Sequence, residues 1–84
     1  MNREQIRTTV LEVLQQIAPE MDPTAIDPRL GLRDQLDIDS MDFLNFLIAV
    51  DKQVHVDIPE RDYGQLNTLD ACVEYLLARQ KSQN

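Results

Sequence analysis

Residues 39–53 read DSMDFLNFLIAVDKQ. Apolar side chains return here every third or fourth position, with no proline or glycine between them, as in an amphipathic α-helix. Asp39-Ser40-Met41-Asp42 is its opening: Ser40 is the expected N-cap, and the acids lie near the positive end of the helix dipole. The helix is expected to run from Ser40 to about Gln53, before His55-Val56-Asp57-Ile58-Pro59. Upstream, Ile6, Val10, Leu14 and Ile17 form another apolar stripe over roughly Arg3 to Ile17, widened by Leu11 and Val13. Pro19, Pro23 and Pro28 exclude a continuous helix after it, because each lacks an amide hydrogen and restrains its predecessor. Residues 18–39 are therefore expected to be a long connection, unusual in a small domain, with Ile26, Leu30, Leu32, Leu36 and Ile38 pinning it to a core. Downstream, Pro59 starts a short helical turn that ends near Gly64. Thr68 caps a last helix whose inner face is Leu69, Cys72, Val73, Leu76 and Leu77. The polar tail from Gln80 to Asn84 is expected to fray. No strand alternation persists. The expected fold is all-α: a small antiparallel bundle of three main helices plus one short helix, with a long loop between helices one and two.

At 84 residues the chain is read as a single domain, 1–84. Its 43% hydrophobic and 27% charged residues place it among globular rather than disordered sequences. Cys72 is the only cysteine and His55 the only histidine. That excludes an internal disulfide and a Cys/His zinc site, and it leaves a cysteine–histidine nucleophile pair without support. Eight basic against fifteen acidic residues give a net charge of −7. Nucleic acid and anionic membranes are disfavoured as partners, and basic protein faces are favoured. No apolar run approaches the ~18–20 residues of a membrane span, and no signal peptide is expected. The reading is a small, acidic, cytoplasmic monomer without catalysis of its own.

The stretch Leu36-Asp37-Ile38-Asp39-Ser40-Met41-Asp42 resembles the acyl carrier protein family, in which an Asp-Ser-Leu triplet opens the second helix. Val56-Asp57-Ile58-Pro59, Thr68-Leu69-Asp70-Ala71 and Tyr75-Leu76 extend the likeness to about Ala78. The resemblance implies that Ser40 receives 4′-phosphopantetheine from coenzyme A, with Asp39 as its motif neighbour, and that the arm's thiol carries acyl groups as thioesters. It also implies a separate phosphopantetheinyl transferase, an acyl- or aminoacyl-loading ligase, and acyltransferase or ketosynthase-type partners with basic docking faces. No His, Lys or Cys lies close to Ser40 in sequence, so a self-contained serine hydrolase has no support. Two positions depart from the family. Met41 replaces the usual leucine at nearly constant volume. Asp37 stands where many carriers have glycine, at some cost if the backbone there has positive φ.

Asp34, Asp37, Asp39 and Asp42 cluster around the serine, with Arg33 the only nearby base. They form either a solvated acidic loop or an electrostatic landing patch for a basic partner. Their spacing is not that of an EF-hand, so no metal site is assigned. His55 reads as a surface or capping residue, Cys72 as a buried structural thiol, and Tyr63 and Tyr75 as core-edge aromatics. At ~100° per residue, Asp42, Asn45, Ala49 and Lys52 form the outward stripe of the central helix. Met41, Leu44 and Ile48 form an apolar edge beside it. Phe43, Leu47, Val50 and Val54 point inward, flanked by Phe46. Carriers of this family meet partner enzymes through this outward region, so Met41, Asp42, Leu44, Asn45, Ile48 and Lys52 are the candidate partner surface. Two phenylalanines in one short helix also suggest a well-filled interior suited to short or polar acyl groups. The leading reading is an acyl carrier for fatty acid, polyketide or related specialised biosynthesis. The alternatives are an aminoacyl or peptidyl carrier, and a non-carrier acidic helical adaptor.

Overall fold

A computed structural model of the chain describes the backbone of residues 1–82 and the side chains through Gln80. Helix α1 spans Arg3–Ile17 and starts in a capping box: the Gln5 amide donates to Asn2 Oδ1 at 2.8 Å, and the Asn2 amide donates to Gln5 Oε1 at 2.9 Å. Two otherwise unpaired amides are thereby satisfied. Its buried face is Ile6, Val10, Val13 and Leu14, and it stops at Ala18, just before Pro19.

The connection expected over residues 18–39 holds two short helical turns. Asp22 accepts hydrogen bonds from the Thr24 amide at 2.9 Å and the Thr24 hydroxyl at 2.7 Å, opening a 3-10 turn at Pro23–Ala25. A one-turn helix, α2, follows at Leu32–Gln35. Ile26, Leu32 and Ile38 are buried and Leu36 is partly buried against the core, as the apolar spacing suggested. Leu30 is not: it is 53% exposed. The reason is local, since Gln35 fastens the backbone around it. Gln35 Nε2 donates to the carbonyls of Asp27 at 2.9 Å and Leu30 at 3.2 Å, and Gln35 Oε1 accepts from the Asp27 amide at 2.9 Å.

Helix α3 spans Ser40–Val54, and α4 spans Leu69–Ser82. Thr68 caps α4 as expected, its hydroxyl accepting from the Ala71 amide at 3.0 Å. The turn before it is a 3-10 helix, Glu60–Leu66, that runs past Gly64 to bury Leu66. The polar tail expected to fray from Gln80 is helical through Ser82, and Gln80 bonds the Met1 carbonyl. Residues 83–84 of that tail lie outside the described residues. Helix α1 packs on both α3 and α4. The Arg3–Glu74 ion pair and the Met1–Gln80 contact make α1 and α4 antiparallel. The only bridge of β type among the described residues joins Gly31 to Thr68, and Leu32 N donates to the Asn67 carbonyl beside it at 2.8 Å. An added Cβ at Gly31 would meet the end of the exposed Asp34 side chain, which would have to swing aside. The result is an all-α bundle whose long connection is stitched to the entry of α4.

Candidate functional site

The start of α3 is capped by Asp39, not by Ser40 as the sequence suggested. Asp39 has extended backbone, φ −93° and ψ −177°, and its Oδ1 accepts from the Asp42 amide at 2.8 Å. In return the Asp39 amide donates to Asp42 Oδ2 at 3.3 Å. A carboxylate one residue earlier reaches the third helical amide, which takes the capping role away from the serine. Ser40 becomes the first helical residue. It is exposed, and no hydrogen bond engages its hydroxyl among the described residues.

Asp34, Asp37 and Asp39 are exposed and Asp42 is half-buried, while Arg33 projects from α2 into solvent. Asp37 does not have positive φ; among the described non-glycine residues only His55 does. The departure from glycine at position 37 therefore carries no left-handed strain. No three His, Cys, Asp or Glu side chains among the described residues are placed to hold a metal ion. His55 is the C-cap of α3, so the length of the helix, about 22 Å at 1.5 Å per residue, separates it from Ser40. Cys72 is fully buried in α4, and burial pushes its thiol up to about 12. Neither residue can activate the serine.

The partner-surface candidates are all on α3 but in a rotated arrangement. Met41 at 62% and Ile48 at 41% exposure, with exposed Asn45 and Lys52, form the most outward stripe. Asp42, Leu44 and Ala49 are half-buried. The expected apolar edge is thus part of the outward face, and Asp42 and Ala49 lie toward its margin. The cause is inside. Phe46, expected to flank the core, is completely buried, whereas Phe43, expected within it, is partly buried. Phe46, in the middle of the helix, takes the centre, and Phe43, nearer the helix start, is left at the edge of the core.

Sequence reasoning missed a second polar cluster. The Tyr75 hydroxyl donates to Asp62 Oδ2 at 2.6 Å, and Arg79 lies 3.6 Å from the same oxygen and 5.3 Å from the Tyr75 ring centroid. Burial, then the Asp62 hydrogen bond, raises the Tyr75 pKa. A cavity of about 690 Å³ lies along this cluster, between the 3-10 helix and α4, and α3 contributes nothing to its lining. No sequence signal pairs residues 62 and 75, because neither spacing nor periodicity connects a turn with the next helix.

An exposed, uncommitted serine at a capped helix start is the geometry a covalent attachment site requires. The phosphopantetheine attachment site family matches this chain over residues 4–76, nearly all of the bundle. The chain belongs to that family. Among relatives of this carrier, the mitochondrial acyl carrier protein of Neurospora crassa is 24% identical over 79 residues, covering 94% of this chain and 59% of its own length. This chain thus spans well under two thirds of that relative. The acyl carrier protein of Rubrobacter xylanophilus is 24% identical over 77 residues, covering 88% of this chain and 95% of its own. In fold, the carrier matches the structure of the acyl carrier protein from Enterococcus faecalis with a TM-score of 0.75 and 21% identity, over 94% of this chain and 99% of that one. The group the family carries is 4′-phosphopantetheine. The local chemistry fits it, since a phosphodiester on Ser40 would lie beside the first-turn amides of α3, where a helix start favours an anion.

Proposed function

We propose that this chain is an acyl carrier protein in which Ser40 bears the 4′-phosphopantetheine arm and the chain itself catalyses nothing. The observation that carries this reading is the free, exposed hydroxyl of Ser40 next to the Asp39 cap, inside the family match. A separate phosphopantetheinyl transferase supplies the arm, and a loading ligase with acyltransferase or ketosynthase-type enzymes supplies and removes the acyl group. The bundle works as a monomer in the cytoplasm; no described helix is long and apolar enough to cross a membrane.

Docking follows from the outward face of α3. Met41 and Ile48 offer exposed apolar contact, with half-buried Leu44 beside them. Asp39 and Asp42 attract a basic partner and raise its association rate. Asn45 and Lys52 leave the rest of that stripe without acid, which suits a specialised pathway rather than a general fatty-acid synthase. Incubation with coenzyme A and a broad-specificity phosphopantetheinyl transferase, followed by intact-mass analysis, tests the reading. One arm should be added to the wild type and none to Ser40→Ala. A wild-type chain left unmodified while a control carrier is modified would overturn it.

A further inference from the structure

We infer that Phe46, with Phe43 beside it, closes the Ser40 end of the bundle interior and so restricts the cargo to short or polar acyl groups that stay outside the core. This rests on the carrier reading of Ser40. Phe43 and Phe46 lie three and six residues beyond Ser40, about 4.5 and 9 Å along the helix. A chain tethered at Ser40 that turned inward along α3 would meet them first. Their rings pack against each other in a tilted pair, with centroids 5.8 Å apart. Phe46 is the largest fully buried side chain of the molecule's described core. In the same core Leu47 and Val50 of α3, Ile6 and Val10 of α1 and Leu76 of α4 are also essentially inaccessible.

Such an interior is close-packed, and a methylene can enter only where another group leaves. Phe43 is only partly buried and could swing outward, but Phe46 has no solvent-facing side to move into. The 690 Å³ cavity relieves nothing here, because it lies on the outer side of α4 and takes no residue from α3. An apolar cargo therefore gains nothing from growing longer. Where room exists, each methylene taken from water favours the inserted state by about fourfold. The presence or absence of that length dependence is the readout.

The experiment uses full-length protein loaded through Ser40 with acyl-phosphopantetheine of two to twelve carbons, transferred from the matching acyl-coenzyme A. Loading is confirmed by intact mass. Wild type, Phe46→Ala, Phe46→Leu and Phe43→Leu are compared by the rate of thioester cleavage with hydroxylamine. For the wild type, the cleavage rate should stay within about twofold from four to twelve carbons, as no methylene is sheltered. In Phe46→Ala cleavage should slow severalfold over the same range, and Phe46→Leu should show a smaller slowing. Phe46→Leu keeps the test decisive if the alanine variant does not fold. Phe43→Leu should resemble the wild type. A wild type whose cleavage slows severalfold with length overturns the inference, as do Phe46 variants that stay flat. Failure to load at all would instead overturn the carrier reading, and the mass measurement tells the two apart.

Discussion

The Asp39 carboxylate holds the Asp42 amide at 2.8 Å, so the helix start keeps its cap whatever happens to the neighbouring serine. Asp39→Ala should cost about 1 kcal/mol in urea unfolding, the usual loss for an N-cap acid. Ser40→Ala should change stability by less than about 0.5 kcal/mol, as an exposed site without partners does, while abolishing attachment of the arm. Cys72 makes a different prediction. Its ordinary value is 9.0, and burial raises it to about 12 in the folded chain. The unfolded chain thus gives up the thiol proton at lower pH than the folded one. The stability tied to the neutral thiol is complete below about pH 9 and is lost as pH rises toward about 12. Stability measured from pH 8 to 11 should fall, and Cys72→Ala should flatten part of that fall. A maleimide should leave the native thiol unmodified and label it in denaturant.

At the scale of an element, α3 ends on a left-handed residue. His55 has φ 60° and ψ 42°, a conformation that usually falls to glycine, and its amide donates to the Asp51 carbonyl at 2.9 Å. The side chain is exposed, so His55→Gly removes backbone strain and no packing. It should raise stability by about 1 kcal/mol, seen as a higher urea midpoint at unchanged slope. The same helix carries the stripe proposed for docking. Replacing Asn45 and Lys52 with Glu should increase the turnover of the loaded protein by ordinary fatty-acid enzymes, with the gain shrinking as salt is added. A wild type that already matches a general fatty-acid carrier in that assay would show that the stripe carries no specialisation.

Over the whole molecule, the 18–39 connection depends on contacts that are distant in sequence. Gln35 clamps Asp27 and Leu30, and the Leu32 amide reaches the Asn67 carbonyl next to the Gly31–Thr68 bridge. The Asp70 amide donates to the Pro28 carbonyl at 3.0 Å, so the connection and the first turn of α4 hold each other. Gln35→Ala frees one amide and two carbonyls. It should lower stability by about 1–2 kcal/mol and speed hydrogen exchange at the Leu32 amide, while leaving the apolar core intact.

The sequence by itself determined the three main helices, the Thr68 cap, the buried Cys72 and the serine at the head of α3. These follow from periodicity, proline placement and capping chemistry, all of which act over a few neighbouring residues. The reading went wrong where neighbours compete for one role. Asp39 and Ser40 are both good caps, and only the observed hydrogen bonds give the role to the carboxylate. Phe43 and Phe46 are both apolar and one turn apart, so a helical wheel cannot say which occupies the centre. The tertiary structure decided that: Phe46 is completely buried and Phe43 only partly, while Met41 and Ile48 face outward. It also brought Asp62 to Tyr75 and Asn67 to Leu32, pairs that meet only when the whole chain closes on its core.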